Sequence, residues 1–207
     1  MPVPAAPGYH SGMAIPAQAD RDRLGDRAPP WSTLDADTKR RRLLAAAESV
    51  FARDGLDAPV PAIAAAAGAG VGSVYRVFAS KDDIVAALAV ERLGWFTGRA
   101  HAAAADPDPG AALEALLRAI VARNSADNVL ASALQSAIER PDLAQARAAA
   151  LAACELLLRR VAAQGSFRTD LSPDDIRLVL AGVRAADASE RGTGSRLLEL
   201  TLSGLRR

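Results

Sequence analysis

From Asp37 onward the apolar positions fall into a helical rhythm. Leu43, Leu44, Ala47, Val50 and Phe51 recur at the spacing that lines one helix face, and Gly55 stops the run. Pro61 suits the first turn of a second, short helix over 60–67, which ends at Gly68. A third segment, 71–78, holds Val74, Tyr75 and Phe78. Ser80-Lys81-Asp82-Asp83 reads as a capping box, in which Ser80 caps and Asp83 reaches back; the helix it opens carries Ile84, Leu88 and Trp95. A Pro/Asp/Gly break at 106–110 precedes further helices predicted at 111–124, 127–139, 142–164, 173–186 and 195–205. Gly165 ends the long one, and Ser172-Pro173-Asp174-Asp175 is a second strong helix start. Strand alternation and internal repeats are absent, so the expected fold is all-α with about nine helices. Residues 1–34 are rich in Pro, Gly, Ala and charge without apolar period and read as a disordered tail. A three-helix module over 35–80 follows, and then a larger helical domain over 81–207.

Composition narrows the chemistry. Half of the 207 residues are hydrophobic but only 4% are aromatic, so Leu, Val, Ile and Ala must fill the cores. The only cysteine, Cys154, cannot build a disulfide framework and reads as a buried, inert thiol. The two histidines, His10 and His101, carry no metal-ligand spacing, and His101 reads as a surface or linker residue. The Gly68-Ala69-Gly70-Val71-Gly72 run lacks the preceding strand and the closing Gly-Lys-Ser/Thr of a nucleotide loop. With no nucleophile–base pair, no enzyme, cofactor or metal site is expected. No apolar stretch reaches membrane-spanning length, and Met1 to Ala6 lack the basic-then-apolar order of a signal peptide, so the expectation is a cytoplasmic protein with no membrane partner.

Three short helices within about 40 residues, with a glycine turn between the second and third, describe a helix-turn-helix. Small residues at Ala64, Ala65 and Ala67 let two helices cross closely. Net charge is only +1, so any basic surface has to be local. Lys39-Arg40-Arg41-Arg42 opens the first helix, where cations oppose the helix dipole by roughly 0.3–1 kcal/mol each; Asp35 and Asp37 offset part of this. An unfavourable placement of this kind points to an anionic partner such as a phosphate backbone. A solvated charged face on a helical protein-interaction module is the alternative. Both lysines of the chain, Lys39 and Lys81, fall in this module.

At this point the residues resemble the TetR family of bacterial regulators. The run from Leu43 to Phe51 resembles its first helix. Ile63-Ala64, Gly68 and the run from Gly72 to Phe78 resemble its turn and recognition helix, and Ala79 to Ile84 the opening of its fourth helix. The match spans about 38–90; the C-terminal half resembles the family in layout only. The resemblance implies a repressor bound to a palindromic double-stranded DNA operator. Lys39 or Arg40, Tyr75 and Lys81 would hold phosphates, and Ser73 and Arg76 would face the major groove. Two departures stand out. The recognition helix begins Gly70-Val71-Gly72, where the family commonly has polar or basic residues; glycine lets backbone approach DNA, and Val71 can touch a thymine methyl. Ala58-Pro59-Val60-Pro61 lacks the threonine often found at the second helix start.

The resemblance further implies a cavity for a small, mostly apolar effector, with Trp95, Phe96, Leu116, Leu117, Ile120, Leu134, Ile138 and Leu157 as candidate walls. It implies a homodimer through the last two helices, whose apolar positions are Ile176, Val179, Leu180 and Val183, then Leu197, Leu198, Thr201 and Leu205.

Overall fold

The computed structural model describes residues 29–123, 140–190 and 192–206, and among them the chain is helical. A 3-10 turn, Trp31–Thr33, leads into α1 (Ala36–Asp54), α2 (Val60–Ala67), α3 (Val71–Val77), α4 (Lys81–Ala105), α5 (Pro109–Ala122), α6 (Pro141–Gln164), α7 (Pro173–Ser189) and α8 (Thr193–Leu205). Each expected helix that falls on described residues is present; the segment expected as a helix at 127–139 lies outside them. An isolated antiparallel bridge joins Phe167 to Arg206. No single helix among the described residues is long and apolar enough to cross a membrane.

The ends of the helices follow from local chemistry. Asp35 caps α1 by accepting from the Thr38 amide at 2.7 Å, and that hydrogen bond holds its carboxyl below the usual range. Asp108 caps α5 through the Ala111 amide at 3.0 Å. Ser172 and Asp175 close a full capping box at α7. At α4 the expected box is only half formed. Ser80 accepts from the Asp83 amide, but the Asp83 carboxylate, instead of reaching back to the backbone, takes the Ser80 hydroxyl at 2.9 Å and the Arg140 guanidinium. A charged partner from α6 outcompetes the neutral amide for it.

Two cores share one helix. The first gathers Leu43, Leu44, Val50 and Phe51 of α1, Ile63 of α2, Val74 of α3 and Ile84, Val85, Ala87, Leu88 and Ala89 of α4. Leu143 of α6 joins it, so the expected boundary at 80/81 is crossed twice. Trp31 packs against the same core, which corrects the tail expected over 1–34 at its end: an indole gains more by covering apolar surface than by staying in water. The second core is built from Ala100, Ala103 and Ala104 of α4 with Leu116, Leu117, Leu157, Val161, Val183, Leu198 and Leu202 of α5–α8. Cys154 lies in it, and burial pushes its thiol up to about 11, which keeps it protonated at neutral pH.

Ile176, Val183 and Leu198, expected at a contact with a second copy, are 5%, 0% and 1% exposed within the subunit. They face inward because α7 and α8 must cover the second core before they can cover anything else. Val179, Leu180 and Leu205 are half-buried against it. The large apolar residues those two helices leave exposed are Leu178, Leu197 and Leu200, on the side away from that core.

Among the described residues Glu114 is the one buried charged side chain. Arg206 donates to it through Nε at 2.6 Å, and Arg118 at 3.1 Å, which closes the chain end onto α5. The Arg206 bond, more than that of Arg118, holds the Glu114 carboxyl below its ordinary value. A group whose folded pKa is depressed stabilises the fold above its unfolded pKa, and that contribution is lost as pH falls through the folded one. Arg206→Ala is therefore expected to lower stability at neutral pH, though only in part, since Arg118 still partners Glu114. Thermal melts should show the deficit narrowing as pH falls from about 4.3, the free glutamate value, through the lower folded value.

Candidate nucleic-acid interface

The α2–α3 pair turns through 99° at Gly68-Ala69-Gly70, within the helix-turn-helix range. Gly68 makes the turn in two ways. Its φ of 65° is left-handed, and its amide and that of Ala69 bond back to Ala65 and Ala64. A Cβ added there would also stand 3.0 Å from Arg42 Nη2.

α3 is two turns long and anchored by one face. Val74 is fully buried and Phe78, just past its end, nearly so. The opposite edge, Gly70, Val71, Gly72, Tyr75 and Arg76, is exposed; Tyr75 is half-exposed rather than part of the core, and Val71 is 38% exposed. Ser73 lies half-buried between the two faces. Arg76 Nε lies against the Gly72 carbonyl at 3.3 Å. A Cβ at Gly70 or Gly72 would meet nothing within 4 Å, so the packing of the chain does not require glycine at either position.

The basic run of α1 is wrapped around this helix pair. The Arg40 guanidinium stacks over the Phe78 ring at 4.7 Å, which carries it to the C-terminal end of α3. Arg42 donates to the Pro29 carbonyl at 2.8 Å, and Arg41 to the Thr38 hydroxyl at 3.0 Å. Lys81 starts α4 three residues after Phe78. Among the described residues no carboxylate lies within 4.0 Å of Lys39, Arg40, Arg41, Arg42, Arg76 or Lys81, whereas Arg92, Arg118, Arg140, Arg168 and Arg206 each have one at 2.5–2.7 Å. Local positive charge is thus left unneutralised on the module that exposes α3, in a chain of nearly zero net charge.

A second feature lies in the larger domain. Arg92, Leu93, Trp95 and Phe96 of α4, Ile120 of α5, Arg123 just beyond it, and Leu180 and Arg184 of α7 line a partly open cavity of about 110 Å³. Trp95, Phe96 and Ile120 stand where the sequence expects walls. Leu116, Leu117 and Leu157 do not: they are 5%, 1% and 1% exposed in the core behind the cavity, facing neighbouring helices. Leu134 and Ile138 lie outside the described residues. Leu180, expected at a contact between copies, lines this cavity. The three arginines were missed. Arg92 does fall on the stripe of Trp95 and Phe96, three and four residues earlier, where a cation in an apolar face was the readable signal.

A short, one-face-anchored helix presented beside unpaired cations defines a DNA-binding regulator of the helix-turn-helix class. Residues 43–88 match the model of bacterial regulatory proteins of the tetR family, and 108–207 that of the C-terminal domain of transcriptional regulators like SbtR. No curated protein matches the chain. Among solved structures, the TetR transcriptional regulator SCO0520 of Streptomyces coelicolor is 31% identical, over 81% of this chain and 98% of that one, with a TM-score of 0.64. A TetR regulator from Mycobacterium vanbaalenii is also 31% identical, over 84% and 98%, at 0.63. SmeT, the repressor of the Stenotrophomonas maltophilia multidrug efflux pump SmeDEF, is 26% identical, over 81% and 90%, at 0.55. The chain belongs to the TetR family of transcriptional regulators.

The open position at Gly72 has a direct consequence for stability. Gly72→Ala fills no occupied space and replaces a glycine in the first turn of α3, which narrows the unfolded ensemble, so it is expected to raise stability by roughly 0.4–1 kcal/mol. Denaturant melts check this; a loss of stability would show that the packing of the chain does require glycine there.

Proposed function

We propose that the chain is a dimeric cytoplasmic repressor that lays α3 in the major groove of a palindromic operator and lets go when a small molecule fills the cavity beside Trp95 and Phe96. One observation carries the DNA reading: the exposed edge of α3 takes no part in the packing of the chain and is surrounded by cations with no carboxylate of their own. Lys39, Arg40, Lys81 and the Tyr75 hydroxyl hold phosphates in this reading. Arg76 swings off the Gly72 carbonyl to a guanine edge, and Ser73 reads beside it. Gly70 and Gly72 let the backbone close on the groove, so that Val71 reaches a thymine methyl. With so few polar readers, DNA shape carries a share of the specificity. That a structural neighbour, SmeT, is itself a repressor supports the direction of control.

The dimer is assigned to the stripe of α7 and α8 that the subunit leaves uncovered. Leu178 is 72% exposed and Leu200 54%, with Leu197 beside them. Facing the same stripe of a second copy, they form a four-helix seam on a two-fold axis, which sets two α3 helices at successive major grooves.

Mobility shifts on the DNA flanking the chain's own gene test the first part. Gly72→Ala, although stabilising, is expected to lose at least about tenfold in operator affinity because its methyl holds the backbone off the groove. Lys81→Ala is expected to weaken binding to all sequences alike and to reduce the salt slope by about one. Unchanged affinity in the first and an unchanged slope in the second rule out this docking. Leu200→Asp tests the seam. A desolvated carboxylate there is unpaired, so light scattering should read a monomer whose helix content is intact. A dimer that survives Leu200→Asp and Leu178→Asp together excludes this face.

A further inference from the structure

The cavity carries more positive charge than its function as an apolar pocket requires. Arg92, Arg123 and Arg184 all line it. Among the described residues one carboxylate answers them, Glu48, whose Oε1 lies 2.7 Å from Arg92 and 4.0 Å from Arg123. Arg184 has no carboxylate within 4.0 Å among those residues. Cations on the rim of a cleft need no special explanation, but the Arg92 side chain is only 12% exposed. A guanidinium so placed carries several donors, and Glu48 accepts from one of them, Nη2. Arg123 in addition lies over the Trp95 ring at 4.8 Å, so the cationic end of the cavity adjoins its aromatic wall. Leu93, Phe96, Ile120 and Leu180 supply the apolar remainder.

Glu48 belongs to α1, the helix that carries the basic run of the DNA-binding module, while Arg92 lies mid-way along α4 and Arg123 at the end of α5. The carboxylate is therefore a strap between the module and the cavity wall. Resting on the reading above that the chain is released by a small molecule, we propose that the effector is an apolar carboxylate whose head group takes the place of Glu48 between Arg92 and Arg123, so that filling the cavity unties α1 from α4. An acid suits the position because guanidinium recognises carboxylate planes with two parallel bonds, and because the exchange leaves both arginines paired. The exchange also makes the coupling reciprocal: whatever loosens the Glu48 strap must favour the acid, and the bound acid must disfavour the strapped, DNA-bound form.

4-Phenylbutanoate and 4-phenylbutanamide, alike in length and shape but differing in charge, test this. In a Trp31→Phe chain Trp95 is the remaining tryptophan, and its fluorescence reports occupancy of the cavity. The acid is expected to bind saturably and about tenfold more tightly than the amide. Arg123→Gln should bring the two together. Glu48→Gln should raise the affinity for the acid several-fold, leave that for the amide unchanged, and weaken operator binding to a level that added acid lowers no further. Equal binding of acid and amide, failure of the acid to bind at millimolar concentration, or an affinity for the acid unmoved by Glu48→Gln each overturn the proposal. If those results come with an intact operator shift, the regulator reading stands and only the effector class falls. If the untreated chain fails to shift DNA, the regulator reading falls, while the fluorescence titration still decides what the cavity selects.

Discussion

One helix belongs to two hydrophobic cores, and the rest of the molecule is arranged around that constraint. Over its first turns α4 buries Ile84, Val85, Ala87, Leu88 and Ala89 beneath the three-helix module; over its last it buries Ala100, Ala103 and Ala104 beneath α5–α8. At about 1.5 Å per residue the two ends stand several turns apart on a single stiff rod. Neither core can change its packing against α4 without the rod carrying the change to the other. The small residues at the far end matter here: alanines allow α6 to approach α4 closely, and a close helix–helix contact has few alternative arrangements. α6 adds a second tie, since Leu143 enters the first core and Arg140 grips Asp83, while the remainder of the helix lies in the second.

Charge is partitioned along the same axis. In the larger domain, arginines close on carboxylates and do structural work, as Arg206 and Arg118 do for Glu114. Around α3 the cations are held in place without being neutralised: Arg40 by an aromatic ring, Arg42 by a backbone carbonyl, Arg41 by a hydroxyl. Each of these contacts fixes a guanidinium and leaves its charge intact. A surface built so is cheap to desolvate against phosphate, since no ion pair has to be broken first, and the near-zero net charge of the chain keeps that attraction local.

What was legible in the sequence was what is local. The module over 35–80 could be read because its signals sit within a few residues of what they control: Asp35 with Thr38, Gly68 with Ala64 and Ala65, Ser80 with Asp83. Long-range partners were not legible. The sequence points Asp83 back to the start of its own helix because Arg140, which claims its carboxylate, lies 57 residues away, and it gives Arg92 no partner because Glu48 lies 44 residues before it. The last two helices show the limit of periodicity. A 3.6-residue period reveals that α7 and α8 have an apolar stripe, but the stripe holding Val183 and Leu198 faces the subunit's own core. Only the packing of α5 and α6 beneath them decides which side is left for water or for a second copy. For the same reason Leu116, Leu117 and Leu157 were read as walls of a cavity they merely support.

The open space around Gly70 and Gly72 separates two demands that usually conflict. In most recognition surfaces a residue that touches a partner also braces the fold, so altering specificity risks unfolding. Here the fold leaves open space at the Cβ of position 72 and favours alanine over glycine there. Duplicated copies of this gene would therefore be free to drift at that position without losing solubility or abundance, and each new side chain would present a different outline to the groove. The same two-turn helix thereby offers a route by which sister regulators acquire separate sets of target genes.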